Sequence, residues 1–163
     1  PFGKCENEVL IKGNGKESYS KFQKFISLEE FQSNDDVIQL RFYFQGKSDF
    51  SVALSASSKE QDKDEQFFKT LIAFGENETI SFKKNNNNIF CDQKSNIPNP
   101  FDTFYFEKLD LTLNMKIGYM MWFLPGRSAP FLSCYHSNIA NMKFLAFSTW
   151  NQNQVRYIFN CDN

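Results

Sequence analysis

Apolar and polar residues alternate along most of this chain in short runs, and each run stops at a turn signal. The clearest stretch is LRFYFQGKSDFSVALS, which belongs to two alternating runs, 37–45 and 50–56, flanking a Gly-Lys-Ser-Asp turn. A period of two puts successive side chains on opposite faces, so such a run is a strand with one buried and one wet face. The same pattern predicts strands over 67–74, 79–83, 101–113, 116–124, 129–134, 142–148 and 155–160. Shorter ones are predicted at 9–11 and 89–91. Segment 19–28, YSKFQKFISL, mixes a spacing of three with the strand-like KFISL and is read as a strand.

Polar breakers separate these runs: SNDD at 33–36, SSKEQDKDE at 57–65, GENE at 75–78, KKNNNN at 83–88 and Pro-Gly-Arg at 125–127. Pro98 and Pro100 keep 92–100 from being a central strand. Roughly ten short strands with turns between them, and no long helical pattern, predict an all-β fold, an antiparallel β-sandwich of jelly-roll type. One domain is expected over 1–163, with residues 1–20 an N-terminal extension or first strand.

Composition sharpens this picture. The 163 residues include 20 Phe and 17% aromatics, yet mean hydropathy is −0.49. Large apolar side chains set among Asn, Lys, Gln and Ser suit half-wet strands better than helices packed all round. A net charge of −1 gives no electrostatic case for nucleic acid or an anionic membrane. No apolar run approaches the ~20 residues that span a bilayer, so no transmembrane segment is expected. Cys5, Cys91, Cys134 and Cys161 are far apart with no CxxC, which argues against zinc and leaves two disulfides or four thiols. The start at Pro1 fits removal of a signal peptide, and equally the trimming of a longer chain. With the sequon Asn77-Glu78-Thr79, this favours a secreted, extracellular, glycosylated protein with two disulfides. The first and last strands of sandwiches are often neighbours, so the expected pairing is Cys5 with Cys161 and Cys91 with Cys134.

Catalytic signals are sparse. His136 is the single histidine; it would be a general base, but no Ser-Asp partner can be placed, and a plain loop residue beside Tyr135 is the simpler reading. Glu60, Asp62, Asp64 and Glu65 offer oxygens for Ca²⁺, but Lys59 and Lys63 oppose a cation and the loop lacks a glycine at its bend. Trp122 lies inside an apolar run and belongs in the core. Trp150 differs, because amides flank it: Asn151, Gln152, Asn153 and Gln154, with Asn77 on another loop. An aromatic plate beside amides is what sugar binding uses, through stacking and paired hydrogen bonds. Against this, a Trp that merely closes the end of the core explains Trp150 as well. The Phe residues would either line a cavity for an apolar ligand or simply pack.

The order of segments carries a further signal: RFYFQGKSDFSVALSAS, then FFKTLIAFGENETISFKKN, then PFLSC and FLAFSTWNQNQVRYIF. Together these resemble the farnesoic acid O-methyltransferase-like domain, a module of many arthropod proteins, over residues 26–160. In that family the middle piece runs strand, Gly-rich turn with an Asn, then Ser-x-aliphatic-basic. Here Gly75, Asn77, Ser81, Phe82 and Lys83 take those places, with Ala73 for one glycine and a lysine for the arginine. The family name implies S-adenosylmethionine, whose usual cradle is a Gly-rich strand-to-helix turn with an acidic residue on the next strand. This chain has seven glycines, no GxGxG and no βαβ pattern. The resemblance therefore implies a secreted or surface binding module more than an enzyme.

The expectation is a non-enzymatic recognition or structural module without cofactor or metal. Its partner is a carbohydrate or a protein surface; the alternative is a small apolar, terpenoid-like ligand held between the sheets. A methyltransferase-like enzyme comes third.

Overall fold

The computed structural model describes residues 5–13, 15, 20–31, 33–46, 50–60, 66–72, 79–84, 95–96, 107–149 and 154–161. The strands are β1 Cys5–Lys12, β2 Gln23–Ser27, β3 Ser33–Asn34, β4 Val37–Gly46, β5 Phe50–Ser55, β6 Phe67–Ile72 and β7 Thr79–Lys84. They continue as β8 Ser95–Asn96, β9 Glu107–Asn114, β10 Tyr119–Phe123, β11 Leu132–Tyr135, β12 Phe144–Thr149 and β13 Gln154–Cys161. The described strands pair antiparallel throughout, in two sheets. The front sheet runs β1-β13-β4-β9-β10-β11, with β3 paired to β4; the back sheet runs β2-β12-β5-β6-β7-β8. This is the antiparallel sandwich that the alternation predicts. Among the described residues no helix is long and apolar enough to cross a membrane.

Period-two alternation decides what faces inward. On β4, Ile38, Leu40, Phe42 and Phe44 are buried, as are Leu109, Leu111 and Leu113 on β9 and Val155, Tyr157 and Phe159 on β13. Phe42 lies at the centre, with ring centroids 5.0 Å from Phe159, 5.7 Å from Trp122 and 6.2 Å from Phe147. These rings fill the middle of the sandwich, where tilted and edge-on contacts suit their quadrupoles. Trp122 thus takes the core place its apolar run predicts.

Two buried polar links tie the sheets together. The Tyr157 hydroxyl donates to the Ser148 carbonyl at 2.8 Å and accepts from the Ser51 amide at 3.1 Å. Trp122 Nε1 donates to Thr70 Oγ1 at 3.2 Å. Each satisfies a donor that would be costly to bury alone.

The ends of several strands differ from the sequence reading. The run 116–124 is not all strand: residues 115–118 turn, and β10 begins at Tyr119. Asn114 Oδ1 accepts from the Lys116 and Ile117 amides at 3.1 and 3.3 Å, and Gly118 has φ +84°, so local polar chemistry overrides the apolar pattern. Segment 129–134 reduces to Leu132–Tyr135. Segment 19–28 gives β2 followed by a 3-10 turn at Leu28–Glu30, which Ser27 caps. Among the described residues, the proline-bearing stretch contributes the two-residue edge strand β8. The strand expected at 89–91 lies outside the described residues.

Candidate functional site

The two outer faces of the sandwich are not equally open. On the back sheet, the outward Ala53, Ala146 and Phe67 are fully buried with Phe22, and Phe25 packs against them. Phe22 and Phe67 meet edge to face at 5.0 Å, Lys69 Nζ sits 5.7 Å from both rings, and Glu60 accepts from the Phe22 amide at 2.6 Å. Ser20 and Ser148 bond to each other alongside. The described centre of the back face is thus roofed by the chain itself.

The front sheet leaves its outer face to solvent and builds a site there. Because Leu40 and Phe42 point inward, Gln39, Arg41 and Tyr43 point outward, as do Asp110 and Thr112 on β9. Register places Arg41 directly opposite Asp110, and Asp110 opposite Phe123 of β10. Arg41 holds Asp110 with two parallel bonds, Nε to Oδ1 at 2.7 Å and Nη2 to Oδ2 at 3.0 Å. The hydrogen bond to Asp110, opposed by desolvation, raises the Arg41 pKa above its ordinary value. Around this pair lies a cleft of about 400 Å³ lined by Gln39, Tyr43, Thr112, Phe123, Arg127 and Cys161, among others. Farther across the same face Tyr119 and Tyr135, cross-strand partners on β10 and β11, bring their rings to 6.1 Å, with Tyr135 61% exposed. Chemically the site offers an oriented fork of donors, a carboxylate acceptor and flat aromatic surface.

A second cleft, of about 640 Å³, opens at one end of the sandwich. Leu28, Phe31, Ile38, Met115, Met142 and Phe144 line it, with Glu29, Asp36 and Lys143 among the polar members. Its apolar floor is the exposed end of the core, since Leu28, Phe31, Ile38 and Met142 belong to the buried cluster.

The sequence-predicted site residues are only partly placed. Trp150, Asn151, Gln152, Asn153 and Asn77 lie outside the described residues, as do Asp62, Asp64 and Glu65. Gln154 is exposed at the start of β13, opposite Lys12. The neighbouring row ends at Gly46, five residues along β4 from Arg41 and so ~17 Å away, and the structure does not bring Gln154 to the front-sheet cleft. His136 caps a 3-10 turn: its Nδ1 accepts from the Asn138 amide at 3.1 Å, and its ring stands 5.4 Å from Phe68. Glu60 is spent on the Phe22 amide. Among the described residues no group of three His, Cys, Asp or Glu could hold a metal ion. Cys5 and Cys161, opposed in β1 and β13, form a disulfide beside the cleft. Cys134 is disulfide-bonded too, and Cys91 lies outside the described residues.

The residues of the front cleft escaped the sequence reading. The signal that could have found them is the outward set of β4, Gln-Arg-Tyr, facing the outward Lys-Asp-Thr of β9. It becomes visible only once two strands 69 residues apart are known to pair.

The fold has solved counterparts. A galectin from Caenorhabditis elegans is 13% identical, with a TM-score of 0.51 over 93% of this chain and 100% of its own. The lectin of Bauhinia forficata, solved in complex with GalNAc, is 9% identical, with a TM-score of 0.54 over 97% of this chain and 94% of its own. A Bacillus subtilis protein of unknown function with a galectin-like fold is 10% identical, with a TM-score of 0.53 over 98% and 96%. At such identities these matches establish the sandwich fold alone. No curated protein matches the chain. The family model described as farnesoic acid O-methyl transferase matches residues 19–163, so the chain belongs to the farnesoic acid O-methyltransferase family.

Proposed function

We propose that this chain is a non-enzymatic recognition module that works outside the cell and binds carbohydrate on the outer face of its front sheet. The observation that carries this reading is the Arg41–Asp110 pair, opposite Phe123 and next to Tyr43, in an open cleft. A sugar ring presents vicinal hydroxyls and an apolar face. The Arg41 N–H groups not spent on Asp110 donate to the hydroxyl oxygens, the remaining lone pairs of the carboxylate accept from them, and aromatic rings take the C–H face. The lectin-like fold supports the reading at the level of architecture.

Methyl transfer, which the family's description names, would need a cradle for S-adenosylmethionine. The residues do not fit one. The described elements are antiparallel strands and 3-10 turns, with no glycine turn leading from a strand into a helix whose amides would hold such a ligand. The two described glycines of the front-sheet loops, Gly118 and Gly126, serve tight turns. The Cys5–Cys161 bond, the disulfide at Cys134 and the sequon at Asn77 support an extracellular setting.

A glycan array probed with the intact chain and with Arg41→Ala tests the proposal. Binding to a defined glycan set that Arg41→Ala weakens at least tenfold is expected. An array on which the intact chain binds nothing would sink it. Exposed ion pairs contribute ~0–1 kcal/mol, so the variant should keep its fold, which a thermal melt checks. A second reading, an apolar ligand, is favoured only by the end cleft, because the rings around Phe42 fill the space between the sheets where the ligand was first expected. Native mass spectrometry of protein from its natural source distinguishes it: mass lost on denaturation would point there.

A further inference from the structure

The geometry points to a saccharide bearing a carboxylate as the ligand of the front cleft, with Arg127 the residue that selects for the charge; this rests on the glycan-binding reading above. Asp110 contributes no free negative charge to the cleft, because Arg41 matches it through both carboxylate oxygens. Arg127 lines the same cleft, is exposed, and among the described residues has no carboxylate within ion-pair reach. Lys108, exposed on β9 and opposite Tyr43, adds a second positive charge on the same face. Among the described residues the charge around the cleft is thus positive, in a chain whose net charge is −1. A neutral sugar would offer Arg127 only single bonds to hydroxyl oxygens, whereas a uronate would engage its planar fork through two parallel bonds.

The placement of Arg127 is built in. Leu124-Pro125-Gly126-Arg127 is a tight turn closed by the Arg127 amide donating to the Leu124 carbonyl at 3.1 Å. Pro125 presets the first central position, and Gly126, at φ +73°, supplies the left-handed second one. This is the residue pattern of a type II turn, and it fixes the Arg127 backbone four residues past Phe123, where β10 ends. Stored backbone order of this kind lowers the entropy lost when a ligand is clamped.

The test compares a galacturonate trimer with its methyl ester, binding to the full chain measured by calorimetry at low salt. The trimer is expected to bind at least tenfold more tightly than the ester, with affinity falling as NaCl rises. In Arg127→Gln the ratio of acid to ester affinity is expected to fall to near one, while Arg127→Lys retains part of it. Sodium acetate at matched ionic strength should not displace the trimer; if it does, a bare carboxylate suffices and the saccharide part is overturned. Equal binding of acid and ester, or an unchanged ratio in Arg127→Gln, overturns the charge selection and leaves glycan recognition standing. If neither trimer nor ester binds and the array is blank, both readings fall.

Discussion

Gly118 occupies a place where a side chain has no room. Its φ is +84°, and a Cβ there would lie 2.2 Å from the backbone oxygen of His136. The Gly118 carbonyl also accepts from the His136 amide at 2.9 Å, so the two segments are pressed together by design of the backbone. Gly118→Ala is expected to destabilise by about 3 kcal/mol or more, read as a lower urea midpoint, and unaltered stability would contradict the account. Tyr157 is the second residue with a sharp consequence. Burial pushes its phenol well above the ordinary 10.0, because the anion would have no water. A raised pKa in the fold means that its contribution is full below pH ~10 and is lost as pH rises beyond, at about 1.4 kcal/mol per pH unit. Tyr157→Phe should cost about 1–3 kcal/mol at neutral pH, through the orphaned Ser51 amide and Ser148 carbonyl. It should also remove that alkaline slope, which denaturation series at stepped pH would measure. The sequence shows Tyr157 only as one apolar position in an alternating strand; its partners lie 106 and 9 residues away, both in the other sheet.

At the scale of elements, turn chemistry explains both what the sequence reveals and what it conceals. The SNDD signal is a two-residue hairpin between β3 and β4, with Asn34 opposite Val37 and Asp35 and Asp36 at φ +52° and +61°. Both central residues are left-handed, as a type I′ turn requires, and Asn-Gly suits that better than Asp-Asp. Asp35→Asn with Asp36→Gly should therefore raise stability by about 1 kcal/mol, visible as a higher melting temperature; a fall would contradict the turn assignment. In β2 the pairing to β12 slips by one residue beside Lys24, which has φ +58°, making a bulge that no periodicity in YSKFQKFISL announces. That bulge accounts for the mixed spacing of three and two there. Strands whose inner residues alternate without interruption, such as β4 and β9, were legible; runs such as 116–124 were not, because hydropathy alone cannot see that Asn114 caps a turn.

For the whole molecule, the disulfide between Cys5 and Cys161 joins residues 156 apart in the chain, closing nearly its full length. In the chain-entropy picture a loop that long raises the unfolded state's free energy by about 5 kcal/mol. Cys5→Ser with Cys161→Ser should lower the melting temperature by roughly 10 °C, and should loosen β1 from the β13 edge beside the front cleft. An unchanged melt would mean that the outer strand pair holds without its bond. The sandwich class follows from alternation along the chain, but the site does not, because it is assembled across strands: Arg41 and Asp110 meet only through the β4–β9 register. One outer face is roofed by Phe22 and Phe25, and the other carries the outward polar and aromatic residues that recognition requires. The most direct test of glycan binding at that face is an amide NMR titration of the intact chain with the tightest glycan from the array. Shifts gathered on β4, β9 and β10 around Arg41, Asp110 and Phe123 are the predicted result. Shifts confined to the back sheet or to the region around Gln154, with the front face silent, would contradict it.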